Sequence, residues 1–509
     1  MTLISRVLGF VRDILIALVL GTGMVADAFF AAFRFPNLFR RLFAEGAFNS
    51  AFIPLFASKL EQKTNEEARI FASHIISWLA VLLLVITILA EIFMPQLMAV
   101  FVPGFVADKE KFEFTVLLAR ICFPYLAAMS LMAAYGGILN GLGKFLAAAF
   151  APVLLNIVLV IVLIFLVFSV EAGAQIAGIW LAIGIFVGGI AQFILVFWAV
   201  KRTGFLPKFS RPKINPDVRK FWLLAVPAIF TGGITQINIF IGTIIASSAS
   251  SALSYLYFAD RLYQLPLGLI GIAIGVVLLP ELSRHISGGR NVEAKKTMDN
   301  SLLFAMILTL PATAGLITLA HPIIRTLFER GAFDAIATSN TANALIAFSF
   351  GLPAFVLIKL LQPQFFARKN TKTPTIFAAI SVIVNIAISL LLFPYIQHIG
   401  IAIATSVSAW INVIMLTFTL KSRNHFALSF EQIKQQSFLL LSAIIMGATI
   451  FGLSFLLNAP LLGNFGFLMQ VLSLFIIIIA GIFVYFTLID FTNILRSKNI
   501  LSFVKRRNK

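Results

Sequence analysis

The sequence predicts an all-α polytopic membrane protein of about fourteen transmembrane helices: two six-helix lobes in a parallel repeat, plus two extra C-terminal helices. The prediction rests on an apolar composition, on basic residues in alternate loops, and on a sequence match between the two halves. Hydrophobic residues make up 60% of the 509 positions and charged residues only 12%, whereas soluble domains hold roughly 45–50% apolar residues. The mean hydropathy is +1.01. These values indicate that most of the surface faces lipid.

The net charge of +19 would suggest a nucleic-acid partner in a soluble protein. In a membrane protein, Lys and Arg in short loops instead mark the cytoplasmic side. We therefore expect the phospholipid bilayer, and no nucleic acid, as the general partner of the chain. The single cysteine, Cys122, lies in an apolar run, which predicts a buried side chain and no intramolecular disulfide.

Fourteen apolar windows are long enough to cross a bilayer as a helix, which takes about 20 residues. They begin near residues 3, 25, 72, 114, 146, 175, 220, 251, 302, 339, 374, 399, 436 and 464. The first carries arginines and no small-residue cleavage site, so it predicts a membrane helix rather than a removed signal peptide. The second, ADAFFAAFRFPNLFRRLFAEGAFNSAFIPLF, is so polar that it must face protein or water at membrane depth.

Basic residues collect in the connections that follow even-numbered spans, most densely from Lys201 to Lys220 and in the C-terminal tail. Connections after odd-numbered spans hold few, such as Lys109 and Lys111, which lie among acids. By the positive-inside rule, both termini of this multi-pass protein are predicted to be cytoplasmic.

The two halves match at a nearly constant offset. PQLMAVFVPGF, from Pro95, resembles PIIRTLFERGAF, from Pro322, so that Phe101 matches Phe328 and Gly104 matches Gly331, each 227 residues apart. Six spans separate the copies, which predicts two lobes related by an axis along the membrane normal. The predicted domains are a six-helix lobe at 1–200, a basic cytoplasmic linker at 201–219, a second six-helix lobe at 220–423, and spans 13 and 14 with a basic tail at 424–509.

Charged side chains are concentrated in the first two spans, although one at the bilayer centre costs about 2.5–3.5 kcal/mol on insertion scales. A spacing of seven places Arg6 and Asp13 on one helix face, and likewise Asp27, Arg34 and Arg41. The full set is Arg6, Arg12, Arg34, Arg40, Arg41, Asp13, Asp27 and Glu45. These residues either pair with one another and reach the headgroups, or leave an excess of positive charge for an anionic substrate. Arginine suits the second role because its planar fork binds phosphate through two hydrogen bonds.

The second lobe contributes Asp260 and Arg261 in YFADRLYQLPLG. Tyr257, Arg261 and Gln264 follow the spacing of one helical face, so this segment is the predicted counterpart of the second span. Asn156 and Asn385, which match in the repeat, are expected to bond between helices rather than to bind substrate.

No enzyme motif is present in the sequence. The five His residues are scattered, there is no HExxH, CxxC or GxSxG, and there is no GxxxxGK[ST] phosphate loop. We therefore expect no catalytic residues, no metal and no cofactor. Transport energy would come from a coupling ion, the membrane potential or the substrate gradient.

Three segments carry a family resemblance: SRVLGFVRD, GTGMVADAFFAAFRFPNLFRRLFAEGAFNSAFIP and YFADRLYQLPLGLIGIAIGVVLLPELS. They closely resemble the MurJ (MviN) lipid II flippases of the MOP exporter superfamily, and the similarity covers essentially the whole chain. It implies a cavity between two lobes that binds lipid II, the undecaprenyl-pyrophosphate-linked disaccharide pentapeptide. By position, the essential arginines would be Arg6, Arg12, Arg40 and Arg261, supported by Asp13, Asp27, Asn37 and Glu45.

The resemblance also implies a groove for the polyprenyl tail at spans 13 and 14, and leaves cell-wall synthesis proteins as candidate partners. Two departures stand out. Spans 7 and 11 offer Gln236, Asn238 and Asn385 but no acid for a sodium site, so the coupling ion stays open. The position of Gln264 is acidic in some relatives.

Three alternatives differ from this prediction. Another MOP exporter, such as an O-antigen flippase or a cation-coupled drug exporter, fits the fold, but a cationic drug favours carboxylates over arginines. A scaffold protein has no use for arginines at membrane depth, and an intramembrane enzyme needs a nucleophile, base or metal set.

Overall fold

The computed structural model of the protein describes residues 2–41, 48–426, 429–457 and 466–491. Over these ranges the regular elements are helices, without a strand. Glu45 and the basic C-terminal tail lie outside the described residues. The chain divides into two compact units. Unit 1 comprises Met1–Ser254 and Arg330–Asp334, and unit 2 comprises Tyr255–Glu329 and Ala335–Lys509.

The first ten α-helices are α1 (Thr2–Leu20), α2 (Met24–Arg40), α3 (Asn49–Gln62), α4 (Asn65–Ile92), α5 (Met94–Phe101), α6 (Lys109–Cys122), α7 (Tyr125–Gly141), α8 (Leu146–Ser169), α9 (Gln175–Arg202) and α10 (Pro216–Ser247). Those that follow are α11 (Ala252–Ser287), α12 (Asn291–Thr318), α13 (Ala320–Phe328), α14 (Ala335–Ser349), α15 (Leu352–Phe366), α16 (Lys372–Ser422), α17 (Phe430–Leu456) and α18 (Phe467–Phe491).

Polar caps mark where several apolar helices begin. Thr64 precedes α4, Asp108 precedes α6, Asn215 precedes α10 and Ser429 precedes α17, and each side chain accepts a hydrogen bond from a backbone N–H of the first turn. A cap of this kind satisfies a donor that the helix itself leaves without a partner. These helix starts are therefore fixed by local sequence.

Among the described residues, nine helices are long and apolar enough to cross a membrane. The charged helix α1 is not one of them, because its 19 residues include Arg6, Arg12 and Asp13. The protein is therefore a helical membrane protein whose charged helices differ in composition from the others. The predicted total of fourteen spans is a finer statement and is taken up under the proposed function.

Helix α16 joins two predicted spans. It runs for 51 residues, but Ile396 and Gln397 leave the helical region of backbone space, and Gln397 has a φ of 46°. Pro394 lies just before this kink, where its ring removes a backbone donor from the helix. The sequence placed the start of a new span near residue 399, next to the kink.

The interior of unit 1 is rich in aromatic rings and close helix contacts. Phe52 stacks with Phe56 and Phe71, with ring centroids 5.3 and 5.8 Å apart. Helix α9 comes close to α7 at Gly189, where a Cβ would lie 2.6 Å from the Tyr125 ring. Small residues allow this approach, as is common between membrane helices.

In unit 2, α17 packs along α12 and α18 packs along α17. At Gly481 of α18, a Cβ would lie 2.6 Å from the side chain of Ile450 of α17. The Ile450 side chain therefore packs directly against the backbone of α18. The outer face of α18 is apolar and exposed, with Phe483 70% accessible. Spans 13 and 14 of the sequence prediction thus form a layer on α12.

The repeat has a local structural counterpart. The short helices α5 and α13 end at Phe101 and Phe328, both buried, and both lead into a glycine. Helix α10, which the sequence assigned to the second lobe, packs in unit 1 against α3, α4 and α5. The compact units therefore do not follow the repeat, and the predicted lobe boundaries stay a prediction.

Candidate functional site

The guanidinium of Arg12 is held by two side chains of unit 1. Its Nε and Nη2 donate to Oδ1 of Asp13 at 3.1 and 2.7 Å, and its Nη1 donates to Oδ1 of Asn156 at 2.8 Å. The Arg12 side chain is 11% exposed. The sequence placed Asp13 on one face with Arg6, and the structure shows its carboxylate bound to the adjacent Arg12. Charge-assisted bonds of this kind fix the direction of the guanidinium.

Asn156 connects α8 to α1. Its Nδ2 donates to the carbonyl of Ser5 at 3.0 Å, while its Oδ1 accepts from Arg12. The amide lies close to the α1 backbone at Gly9, where a Cβ would be at the ordinary contact distance of 3.6 Å from Nδ2. The expected interhelical hydrogen bond of Asn156 is confirmed. Its repeat equivalent Asn385 accepts from Ser389 of its own helix.

The arginines of α2 contact neutral polar groups. Nη1 of Arg34 donates to Oγ1 of Thr243 in α10 at 3.0 Å. Nε of Arg40 donates to Oδ1 of Asn37 at 3.0 Å, and Asn37 in turn donates to the carbonyl of Phe33. Asn37 therefore supports Arg40 from one turn earlier on the same helix.

Arg6 and Arg41 are placed differently from these three arginines. Arg6 is half-buried near the start of α1 and makes no hydrogen bond or ion pair with the described part of the chain. Arg41 is exposed just past the end of α2.

Asp27, predicted to face the arginines, is completely buried among other partners. Its Oδ2 accepts from Nζ of Lys111 at 2.8 Å and from the backbone N–H of Ser251 at 2.9 Å. Its Oδ1 accepts from the N–H of Ser254 at 3.1 Å and from the Ser254 hydroxyl at 2.6 Å. Both oxygens are therefore occupied, and the carboxylate joins α2, α6 and the start of α11.

The repeat offset reappears in this cluster. Asp27 and Ser254 are 227 residues apart, the same spacing that relates Gly104 to Gly331. Both glycines also make tight contacts in unit 1. A Cβ on Gly104 would overlap the Ser247 carbonyl, and one on Gly331 would overlap the Leu18 carbonyl. The two equivalent loops of the repeat thus make close contacts with the C-terminal ends of α10 and α1.

The candidate residues of α11 belong to unit 2. The guanidinium carbon of Arg261 lies 4.6 Å from the ring centroid of Tyr257, a cation–π contact one turn apart. Gln264 donates a hydrogen bond to Asp260, also one turn apart. The hydrogen bond of Gln264 is to Asp260, so the shared helical face of Tyr257, Arg261 and Gln264 stays a prediction.

Sequence reasoning missed three partners. Lys111 was assigned to an acidic loop, but its ammonium is buried against Asp27 and lies 3.9 Å from the centroid of the Phe105 ring. Thr243 carries no charge, so nothing in one sequence distinguishes it from a packing residue. Asn156 was expected to bond between helices, but Arg12 was not predicted as its partner. The capping residue Asp108 was the available signal for Lys111, because it places Lys111 in the first turn of α6.

Among the described residues, no three His, Cys, Asp or Glu side chains are grouped as metal ligands would be. In unit 1 the guanidinium groups of α1 and α2 are held by hydrogen bonds, and in unit 2 the guanidinium of Arg261 contacts a ring. Such groups bind anions and have no nucleophile or base among them.

Comparison with known proteins identifies what the chain is similar to. The model of the family "Lipid II flippase MurJ" matches residues 16–481. The "Probable lipid II flippase MurJ" of Rhizobium tropici is 46% identical over 486 residues, 95% of this chain and 91% of that protein. The protein of the same name from Rickettsia prowazekii (strain Madrid E) is 41% identical over 426 residues, 84% of this chain and 82% of its own length.

Solved structures agree. "Lipid II flippase MurJ, inward closed conformation" superposes with a TM-score of 0.79 at 28% identity, covering 97% of both chains. An inward-facing multidrug resistance MATE family transporter of the MOP superfamily has a TM-score of 0.69 at 14% identity, covering 83% of this chain and 96% of its own. The second likeness shows a shared fold only.

Proposed function

The chain belongs to the lipid II flippase MurJ family, and we propose that it moves lipid II from the cytoplasmic to the periplasmic leaflet by alternating access. The undecaprenyl pyrophosphate of the substrate is its most highly charged part, and the disaccharide pentapeptide is the part that must cross the bilayer. A flippase of this kind needs an anion-binding surface at membrane depth that opens to each side in turn.

The observation that carries the proposal is the balance of charge on α1 and α2. These helices bear Arg6, Arg12, Arg34 and Arg40 but only two carboxylates. One of the two, Asp27, binds Lys111 of α6 rather than an arginine. The region is therefore more positive than the sequence pairing suggested, and a pyrophosphate would offset that charge.

The arginines suit a pyrophosphate better than lysines would. A guanidinium presents two parallel donors to two phosphate oxygens and stays charged when removed from water. Arg12 is already oriented by Asp13 and Asn156, so little conformational freedom is lost when it binds. In the proposal, Arg12 and Arg40 bind the pyrophosphate from α1 and α2, and Arg261 contributes from α11.

The first test replaces Arg12, Arg40 and Arg261 singly with Ala and with Lys. Each Ala variant loses about 1.5–3 kcal/mol of charge-assisted hydrogen bonding, which weakens lipid II binding tenfold or more. Lys variants recover only part of it. Binding to the purified proteins and growth of a flippase-depleted bacterium are the measurements.

Arg202→Ala is the matched control, because that guanidinium stacks 3.6 Å from the Trp198 ring centroid at the end of α9. It should bind lipid II like the parent. Normal growth and parental binding by both Arg40→Ala and Arg261→Ala would show that the arginines are structural.

We further propose that the protein crosses the bacterial inner membrane fourteen times with both termini in the cytoplasm. Each predicted span overlaps one of the helices α1 to α18 or a joined pair. The proposal puts the basic linker and the basic tail on the cytoplasmic side because Lys and Arg favour that side. Transport in this proposal uses no cofactor and is driven by a coupling ion, the membrane potential or the substrate gradient. Cell-wall synthesis proteins are its proposed protein partners.

A further inference from the structure

A groove of 450 Å³ lies on unit 1, away from the arginines of α1 and α2. Its walls are Trp78 of α4 and Trp222, Leu223 and Val226 of α10, and Ile214 of the linker lies at its edge. Leu223 is 66% exposed and Ile214 78% exposed. The groove is thus apolar and open to the surroundings of the protein.

The linker that borders the groove is bound to α4 along its length. The backbone N–H of Lys208 donates to Ser73 and that of Ser210 donates to Ser77, both at 3.0 Å. The indole of Trp78 donates to the carbonyl of Lys213 at 3.1 Å. Asn215 then caps α10. The sequence predicted only a basic connection. These hydrogen bonds hold the linker against α4, where it forms one side of the groove.

The chain segment that borders the groove, residues 208–220, is strongly positive. Its exposed cations are Lys208, Arg211, Lys213, Arg219 and Lys220, and none of them makes an ion pair with the described part of the chain. The acid of this segment, Asp217, binds Lys59 of α3 at 2.8 Å. Arg219 itself lines the groove.

We infer that this groove binds one phospholipid with an anionic headgroup. Two tryptophans lie where an apolar helix meets a polar linker, which is the position that indole rings take at a membrane surface. Acyl chains would fill the apolar walls, and the headgroup phosphate would meet Arg219 and Lys220. Clustered cations at this depth favour anionic over zwitterionic lipid by about 1 kcal/mol per residue, roughly fivefold each.

The groove can be observed through its own tryptophans. The chain has five, and replacing Trp180, Trp198 and Trp410 with Phe leaves Trp78 and Trp222 as the emitters. The protein in detergent is titrated with phosphatidylglycerol or phosphatidylcholine bearing brominated acyl chains, which quench a nearby indole. Phosphatidylglycerol should quench at a mole fraction more than tenfold lower, because two cations at about fivefold each multiply to about 25-fold.

Arg219→Ala and Lys220→Ala should each shift the phosphatidylglycerol titration about fivefold and leave phosphatidylcholine unchanged. Leu223→Phe, which fills the groove and keeps its charge, should weaken quenching by both lipids. Arg284→Ala, an exposed arginine of unit 2, is the matched control and should change nothing. Equal quenching by both lipids in the parent, or no shift in the Arg219 and Lys220 variants, would overturn the inference.

A competition separates this site from the transport site. Farnesyl pyrophosphate, a short isoprenyl pyrophosphate, should not displace brominated phosphatidylglycerol from the groove. Displacement at equal concentration would mean that the groove belongs to the polyprenyl substrate, and the inference would be wrong. The result is independent of whether the arginines of α1 and α2 bind lipid II.

Discussion

Asp13 and Asp27 lie on neighbouring charged helices, but their carboxylates do different things. Asp13 binds Arg12, its neighbour on α1. Asp27 has its two oxygens filled by Lys111, Ser251 and Ser254. A sequence pattern gives both residues the same prediction, because it records the charge and the helix face but not the partner.

Asn156 acts on Arg12 through a single hydrogen bond, and we predict that it is a positioning residue for substrate binding. Asn156→Ala removes the acceptor of Nη1 and the link to Ser5. A hydrogen bond to a charged group contributes about 1.5–3 kcal/mol. Because this bond is lost from the free and the bound protein alike, binding is affected only through the lost orientation of Arg12. Ordering such a side chain costs about 0.5–1.5 kcal/mol, so lipid II binding should weaken roughly two- to tenfold. Asn156→Asp, which keeps an acceptor for Arg12, should restore part of it.

The control for this prediction is Asn385→Ala, at the repeat-equivalent position, whose Oδ1 accepts from Ser389 of its own helix. It tests whether the loss of an amide side chain at the matching position of the repeat also weakens lipid II binding. Equal weakening by both variants, or loss of thermal stability without rescue by Asn156→Asp, would assign Asn156 a purely structural role.

At the scale of elements, the buried pair of Asp27 and Lys111 holds α2, α6 and the start of α11 together. The Lys111 side chain is 10% exposed and Asp27 is inaccessible. Removing one partner of such a pair leaves an uncompensated buried charge, which typically costs about 3–5 kcal/mol, whereas replacing both with apolar groups costs much less.

We predict that Asp27→Asn lowers the free energy of unfolding by about 3–5 kcal/mol, and that adding Lys111→Met recovers a large part of the loss. Denaturant or thermal unfolding of the purified single and double variants measures this. Glu113→Gln is the control on α6, because its contact with Lys109 is exposed and 3.8 Å long, and it should leave stability unchanged. Additive effects of the two substitutions would contradict the pairing.

At the scale of the whole molecule, the distribution of Lys and Arg predicts how the chain sits in the membrane. Reporter domains fused after residue 215 and after Lys509 should both behave as cytoplasmic, because the two basic segments they follow favour that side. A fusion after Gly173, in the short connection between α8 and α9, should behave as periplasmic. A periplasmic signal at residue 215 or at the C-terminus would overturn the count of fourteen spans.

The sequence alone determined the helical membrane class, the family resemblance and the start of a new span near residue 399, because hydropathy and motifs are local properties. It also located the charged residues of α1, α2 and α11. Only the tertiary structure decided the partners: Lys111 for Asp27, Thr243 for Arg34 and Asn156 for Arg12. Each of these pairs joins residues more than 80 positions apart. Helical periodicity in a sequence relates only residues that are a few positions apart. An acid that is predicted to face arginines can therefore be buried against a lysine of another helix.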